Sequence, residues 1–239
     1  MSYSESHKKP GKGDSYHDSF VSQGYRKMIW KLEKQYLKKI LLDNFKNKKI
    51  KHLDFACGTG RILKHLEDET ISSLGIDISN EMIRVARKNV RSKIIEGDVI
   101  RDNLLNDKKF NLITAFRFFP NAEEYLRKGV LNNIIPHLVN NGLLVFNNHR
   151  NKDSFFEKFI RIVFRKQYRG MNLNDVMLMV KDYNLELIDV YSMGLLRDSF
   201  KKKIPFSFLY IVELLLGKFF RFSDYGYNQI YVFRKKNKK

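Results

Sequence analysis

The sequence predicts an α/β fold: a seven-stranded, mostly parallel sheet with helices on both faces, entered through an N-terminal helical segment. Three observations predict it. Short β-rich runs alternate with helical patterns along most of the chain, the mark of right-handed βαβ units. A glycine-bearing turn, Asp54-Phe55-Ala56-Cys57-Gly58-Thr59-Gly60-Arg61, stands where the first strand gives way to a helix. Finally, 239 residues with 43% apolar content, 4 Pro and 13 Gly furnish one sizeable core and carry no low-complexity signature.

Taken in order, residues 1–15 are polar, with Pro10, Gly11 and Gly13 close together, and read as a flexible tail. Residues 16–50 read as a helical lid. From Tyr25 to Phe45 the apolar Ile29, Leu32, Tyr36, Ile40 and Leu41 recur at spacings of three, four and one with lysines between them, an amphipathic helix that should pack on the main domain. That domain spans 51–239. Its strands are KHLDFA, SSLGID, SKIIEG, FNLITAF and GLLVFNNH, then LELIDVYS and NQIYVFRK. Between them lie ILKHLED, SNEMIRVARKNV and AEEYLRKGVLNNIIPHL; Ser79 is placed to cap the second of these, with Met82, Ile83, Ala86 and Val90 as its apolar stripe. Asn140-Asn141-Gly142 marks a turn into the fifth strand. Helices are expected at 153–166 and 173–183, and an insertion at 195–225.

The net charge is +19. It is carried by the ends: 13 basic against 5 acidic residues in 1–52 and 11 against 3 in 197–239, with a near-neutral middle. The basic blocks therefore flank the glycine turn as surfaces or arms, suited to anionic lipid or a phosphate backbone, or serving solubility alone. The single cysteine, Cys57, leaves no intramolecular disulfide and no cysteine metal cluster, and the chain opens without an apolar leader, so a reducing cytoplasm and no metal are expected.

Glycines at a strand-to-helix turn let the backbone bend sharply and approach a ligand. Asp77 ends the second strand, where a carboxylate can accept from both hydroxyls of a ribose, and Asp98 follows the third. A dinucleotide would need a third glycine where Leu63 stands, which argues against a nicotinamide cofactor. Across residues 51–149 the runs DFACGTG, GIDIS, EGDV, FNLITAFRFF and NNGLLVFNNH, in this order, resemble the class I S-adenosylmethionine-dependent methyltransferases, with their Rossmann-like fold. The resemblance implies S-adenosyl-L-methionine as cofactor. Asp54, Ala56, Gly58 and Gly60 would surround its methionine part, Asp77 and Ile78 the ribose, Asp98 and Val99 the adenine, with Ala115 at the end of the fourth strand. Ala56 stands where many members have glycine.

Methyl transfer from a sulfonium is an in-line displacement, so the acceptor must be aligned and, if it is a hydroxyl, relieved of its proton. Arg117, Phe118 and Asn121 after the fourth strand, Asn148 after the fifth and Tyr16 from the lid are the candidate acceptor contacts. His149 is the candidate base, or else a hydrogen-bonded structural histidine; as a base it would give a rate that rises with pH through 6–7. Arg117 would bind an anionic acceptor or pair with Glu123 or Glu124. The stretch Ala115-Phe116-Arg117-Phe118-Phe119-Pro120 lacks the Asn/Asp-Pro-Pro-Tyr/Phe pattern of amino-group methylation. The favoured acceptor is therefore a small molecule with a hydroxyl, such as a sugar, a glycolipid precursor or a secondary metabolite. The alternatives are an RNA methyltransferase and an inactive donor-binding partner subunit; specific nucleic-acid binding is not expected.

In family members variable additions lie on the acceptor side, which assigns 153–170 and 195–225 there. Within the latter, Ser207, Tyr210, Glu213, Gly217 and Arg221 share one side of a helix and leave a broad apolar face. That face would pack on the sheet or on a second subunit as a homodimer, close over the acceptor, or, with Lys201-Lys202-Lys203 and Arg221, place 201–222 on the inner membrane surface.

Overall fold

The seven apolar runs form the strands β1 (Lys51–Phe55), β2 (Ser72–Asp77), β3 (Lys93–Glu96), β4 (Phe110–Ala115), β5 (Leu138–Asn148), β6 (Leu185–Met193) and β7 (Asn228–Lys235). The helices are α1 (Lys12–Ser22), α2 (Gly24–Asn44), α3 (Arg61–Leu66), α4 (Asn80–Asn89), α5 (Glu124–Ile134), α6 (Phe155–Phe164), α7 (Leu173–Val180) and α8 (Phe206–Phe219). The chain is seen in a computed structural model, which describes residues 12–22, 24–46, 49–164, 170–195 and 206–237.

The strands make one sheet in the order β3-β2-β1-β4-β5-β7-β6. Neighbours run parallel from β3 to β5, and β7 is antiparallel to both β5 and β6. Because helices cover both faces, strand residues of either parity are apolar. Leu144 and Phe146 of β5 with Tyr231 and Phe233 of β7 enter a core shared with α5 and α7. The interleaved Leu143, Val145, Ile230 and Val232 enter a second core with Met28, Ile29, Leu32 and Leu37 of α2, Ile62 and Leu66 of α3, and Leu209 of α8. The expected packing of the N-terminal helix on the sheet is thus observed.

The strand order reverses at β1 and β4, where β1 pairs with β2 on one side and β4 on the other. A crevice opens there at the carboxyl ends of the strands, which is where open α/β sheets bind ligands.

Two local expectations change. Residues 12–15 belong to α1, and the rest of the expected tail lies outside the described residues. Asn140-Asn141-Gly142 does not precede a strand but lies inside β5: Asn141 takes φ +61° and the register with β4 shifts between Phe110 and Leu112. Asparagine tolerates the left-handed region, so the signal read as a turn is spent on an irregularity within a continuous strand. Of the two insertions, 165–169 and 196–205 lie outside the described residues, Lys201-Lys202-Lys203 included.

Candidate active site

The turn after β1 is shaped by backbone geometry. Gly58 and Gly60 take φ +55° and +77°, and a Cβ on Gly60 would stand 2.7 Å from Val90 Cγ1, so α3 can start against α4 only with glycine there. Ala56 also takes φ +53°. The left-handed region costs an L-residue about 1–2 kcal/mol, partly offset by the freedom glycine gives the unfolded chain. Ala56→Gly is therefore expected to raise stability by roughly 0.5–1 kcal/mol, measurable as a later denaturation midpoint. A midpoint lowered by that amount would show that the alanine methyl has a packing role exceeding its strain.

Asp54 lies fully buried in β1. Its Oδ1 accepts from Thr114 Oγ1 at 2.6 Å, and Thr114 in turn meets His52 Nε2 at 2.8 Å. Asp54 Oδ2 and Thr59 Oγ1 are buried and carry no hydrogen bond among the described residues. Burial, opposed mainly by Thr114, pushes the Asp54 carboxyl up to about 7. A cation delivered to this spot would satisfy the orphaned oxygen and restore the carboxylate. The ammonium of the donor's methionine part has that chemistry, so the residues present fit the cofactor. Tyr16 of α1 lines the same cleft with Gly58, Arg61 and Phe116, and leaves a cavity of about 30 Å³, room for a water and no more. Cys57, beside it, is buried, and burial pushes its thiol well up; it is no nucleophile.

Asp77, at the end of β2, accepts from Gly58 N at 2.7 Å and Ser79 N at 2.9 Å, tying the glycine turn to the next strand. Ile78 beside it is exposed. Asp98 accepts from Ile100 N at 3.0 Å and stands 3.6 Å from Arg101. The Val99 and Ala115 side chains are turned into the core, so neither side chain lines a ligand wall as expected.

On the other side of Arg117 lies a second cavity, of about 140 Å³, built by α2, the ends of β4 and β5, and the residues before β7. Arg117 has φ +65°, a strained value for arginine, and is held there by its amide on Asn147 Oδ1 at 2.5 Å and its carbonyl on Asn121 Nδ2 at 2.6 Å. Asn147 Nδ2 donates onward to Glu33 Oε1 at 2.9 Å. Glu33, fully buried in α2, also meets Arg61 at 2.9 Å and Arg117 at 3.9 Å. The Phe20 ring of α1 is packed by the guanidiniums of Arg61, Arg117 and Arg26, at 3.9, 4.9 and 5.6 Å from its centroid. His149 lines the second cavity, and its Nδ1 is buried without a hydrogen bond among the described residues. Burial first, then Arg117, Arg150 and Arg26, hold its pKa well below the usual value.

The structure therefore brings Asp54, Ala56, Gly58 and Tyr16 to one cleft and Arg117 with His149 to the next. It does not bring Phe118, which packs edge-on against Phe55 and Phe119 in the core. Nor does it bring Asn148, which donates to Met171 O and accepts from Arg150 N, or Asn121, whose amide braces the loop. These three expectations are corrected: short polar and aromatic side chains next to a strand end were used to build the loops. The carboxylate that Arg117 meets is Glu33 of α2, in place of the expected Glu123 or Glu124. Sequence reasoning missed Glu33, Arg26, Tyr25 and Arg150; only Glu33 left a signal, as a carboxylate set directly beside Leu32 on the apolar stripe of α2.

A parallel sheet closed by an antiparallel seventh strand, with a glycine turn and acidic residues at the ends of β1 and β2, defines a class I S-adenosylmethionine-dependent methyltransferase. The family model described as "Methyltransferase domain" matches residues 46–181. The chain belongs to that family, and its methyl donor is S-adenosyl-L-methionine. No curated protein matches the chain. Among solved structures, an S-adenosylmethionine-dependent methyltransferase from Clostridium acetobutylicum is similar at TM-score 0.62 and 14% identity, over 94% of this chain and 99% of that one. The magnesium protoporphyrin IX methyltransferase of Synechocystis, solved with bound SAH, is similar at TM-score 0.61 and 11% identity, over 91% and 88%. A methyltransferase from Archaeoglobus fulgidus is similar at TM-score 0.60 and 15% identity, over 86% and 94%.

Proposed function

We propose that the chain methylates a hydroxyl of a small-molecule acceptor held in the chamber beside His149. The observation that carries this reading is an imidazole with a free, buried nitrogen in a cavity next to the donor cleft. When bound, the donor supplies an electrophilic methyl group on sulfur. Asp54 holds its ammonium, Asp77 with Ile78 its ribose, and the backbone at Asp98 and Val99 its adenine. Helix α1 acts as the lid: it is docked on α4 by the Asp14–Arg84 ion pair, and Tyr16 must withdraw for the donor to enter. His149 is neutral at working pH and accepts the hydroxyl proton as the new bond forms, while Arg117 aligns the acceptor. Screening hydroxylated metabolites for donor-dependent release of S-adenosylhomocysteine tests the reading; turnover confined to amines or to RNA would contradict it. RNA itself is expected to bind weakly and without sequence preference, with affinity falling by orders of magnitude between low and moderate salt. A tight, structure-specific complex at physiological salt would favour RNA methylation instead.

The acceptor chamber lies near a helix built inside out. The middle of the polar stripe of α8 is buried, though Ser207 and Arg221 at its ends are exposed: Glu213 is 0% exposed and its Oε2 accepts from Gly194 N and Leu195 N at 3.0 and 3.1 Å, while Gly217 sits against Tyr36. Phe208, Ile211, Leu215 and Phe219, the last 87% exposed, form an outward ridge. Among the described residues no helix is long and apolar enough to cross a membrane. This ridge is read as lying on an anionic bilayer surface, because Lys31 reaches α8 over the Tyr210 ring, Lys218 stands on α8 itself and 197–239 is strongly basic. Two copies of a +19 chain would repel one another. Co-sedimentation with phosphatidylglycerol vesicles, absent with phosphatidylcholine and lost in Phe219→Asp, is expected; a homodimer dissociated by that substitution would contradict it.

A further inference from the structure

Resting on the reading of the second cavity as the acceptor chamber, we propose that the chamber is an oxyanion site: the acceptor carries a carboxylate or phosphate, held by Arg26, Arg117 and Arg150 beside His149. Three separate parts of the chain bring arginines to the lining of one cavity of about 140 Å³: Arg26 from α2, Arg117 from the loop after β4, and Arg150, exposed at its rim, from the loop after β5. Arg117 shares a carboxylate, whereas Arg26 and Arg150 form no ion pair among the described residues. Glu33 is already divided between Arg61, Arg117 and Asn147. Arg26 has no carboxylate partner among the described residues: its Nη1 donates to Ser19 Oγ at 2.6 Å and its plane lies over Phe20. Arg150, too, makes no ion pair among the described residues. Glu213, a buried carboxylate near Tyr25, is a single negative charge against these arginines and accepts from the amides of Gly194 and Leu195.

Crowding like charges is unfavourable unless something repays it. Burial, with Arg117 and Arg61 close by, draws the Arg26 guanidinium below its ordinary value, the mark of cations lacking a counter-ion. A planar carboxylate or a phosphate matches the two-pronged donor geometry of arginine, which a neutral sugar would not exploit. Tyr25, locked by Asn228 Nδ2 on its hydroxyl at 2.7 Å, gives the chamber a rigid wall. The bound anion would hold the remainder of the acceptor in a fixed orientation relative to His149, so charge selects the substrate and the imidazole acts on it.

The test titrates inorganic phosphate and acetate into the full chain at constant ionic strength, with chloride as the background anion. Both Arg26→Gln and Arg150→Gln are expected to weaken the tighter oxyanion at least tenfold, with Arg26→Lys intermediate and Lys88→Gln, at the opposite end of the sheet, unchanged. The tighter of the two probes identifies which oxyanion the acceptor carries. Wild-type affinity in both Gln variants, or a wild-type chain that prefers neither oxyanion to chloride, overturns the proposal. S-adenosylhomocysteine is titrated into the same samples as a separate readout. Its retained binding in the variants shows that they are folded, whereas its failure to bind the wild-type chain would overturn the methyltransferase reading instead.

Discussion

Replacing His149 with asparagine is expected to lower turnover at least about a hundredfold while leaving donor affinity unchanged, because a positioned base contributes roughly 10²–10⁴-fold to hydroxyl chemistry. Asparagine preserves a polar side chain of similar reach but cannot take the proton. The pH profile separates this role from a structural one. An imidazole is competent above its pKa, and burial together with three arginines holds that of His149 well below the usual value. The acid limb of the wild-type rate should therefore lie below the 6–7 range in which an unperturbed histidine would give it. An acceptor anion would move the limb back upward by neutralising Arg26 and Arg150. A His149→Asn variant with normal turnover would remove the residue from the mechanism and leave alignment alone.

The second large effect concerns stability. Glu33→Ala would leave Arg61 and Arg117, both mostly buried, without their shared carboxylate, and would release Asn147 from its brace on the Arg117 loop. Breaking a buried charge network by removing one partner costs about 3–5 kcal/mol. For a domain of this size that corresponds to a fall in Tm of roughly 10 °C, read by thermal denaturation, with Glu33→Gln losing less because it still bonds Asn147. An unchanged Tm would mean that solvent screens these arginines more than their burial indicates. The same network links α2 to the first helix after the glycine turn, so the Ala variant should also weaken donor binding.

The strands and the donor cleft were legible because local rules govern them. Parallel strands buried on both faces must be apolar throughout, as in Leu143-Leu144-Val145-Phe146, and a backbone forced to φ +77° at Gly60 advertises itself as glycine. The acceptor side follows no such rule. Arg26, Arg117 and Arg150 are 91 and 33 residues apart in sequence and meet only because α2 crosses the ends of β4 and β5. Asn148 ends β5 and Phe118 stands in the loop after β4, but both side chains are spent inward, on Met171 and on the Phe55 and Phe119 rings. Helix α8 showed its two stripes plainly in sequence. Which stripe is buried was not, since the choice depends on the free amides of Gly194 and Leu195 and the close approach to Tyr36.

If the Asp54–Gly60 turn and Asp77 bind S-adenosyl-L-methionine, calorimetric titration of S-adenosylhomocysteine will show it. One site per chain is expected. Its affinity should drop by about 1.5–3 kcal/mol in Asp77→Ala, where charge-assisted hydrogen bonds are lost. It should also strengthen several-fold from pH 6 to 7.5 as Asp54, held near 7, ionises to meet the ammonium. No binding to the folded wild-type chain, or binding indifferent to both Asp77→Ala and pH, would contradict the account.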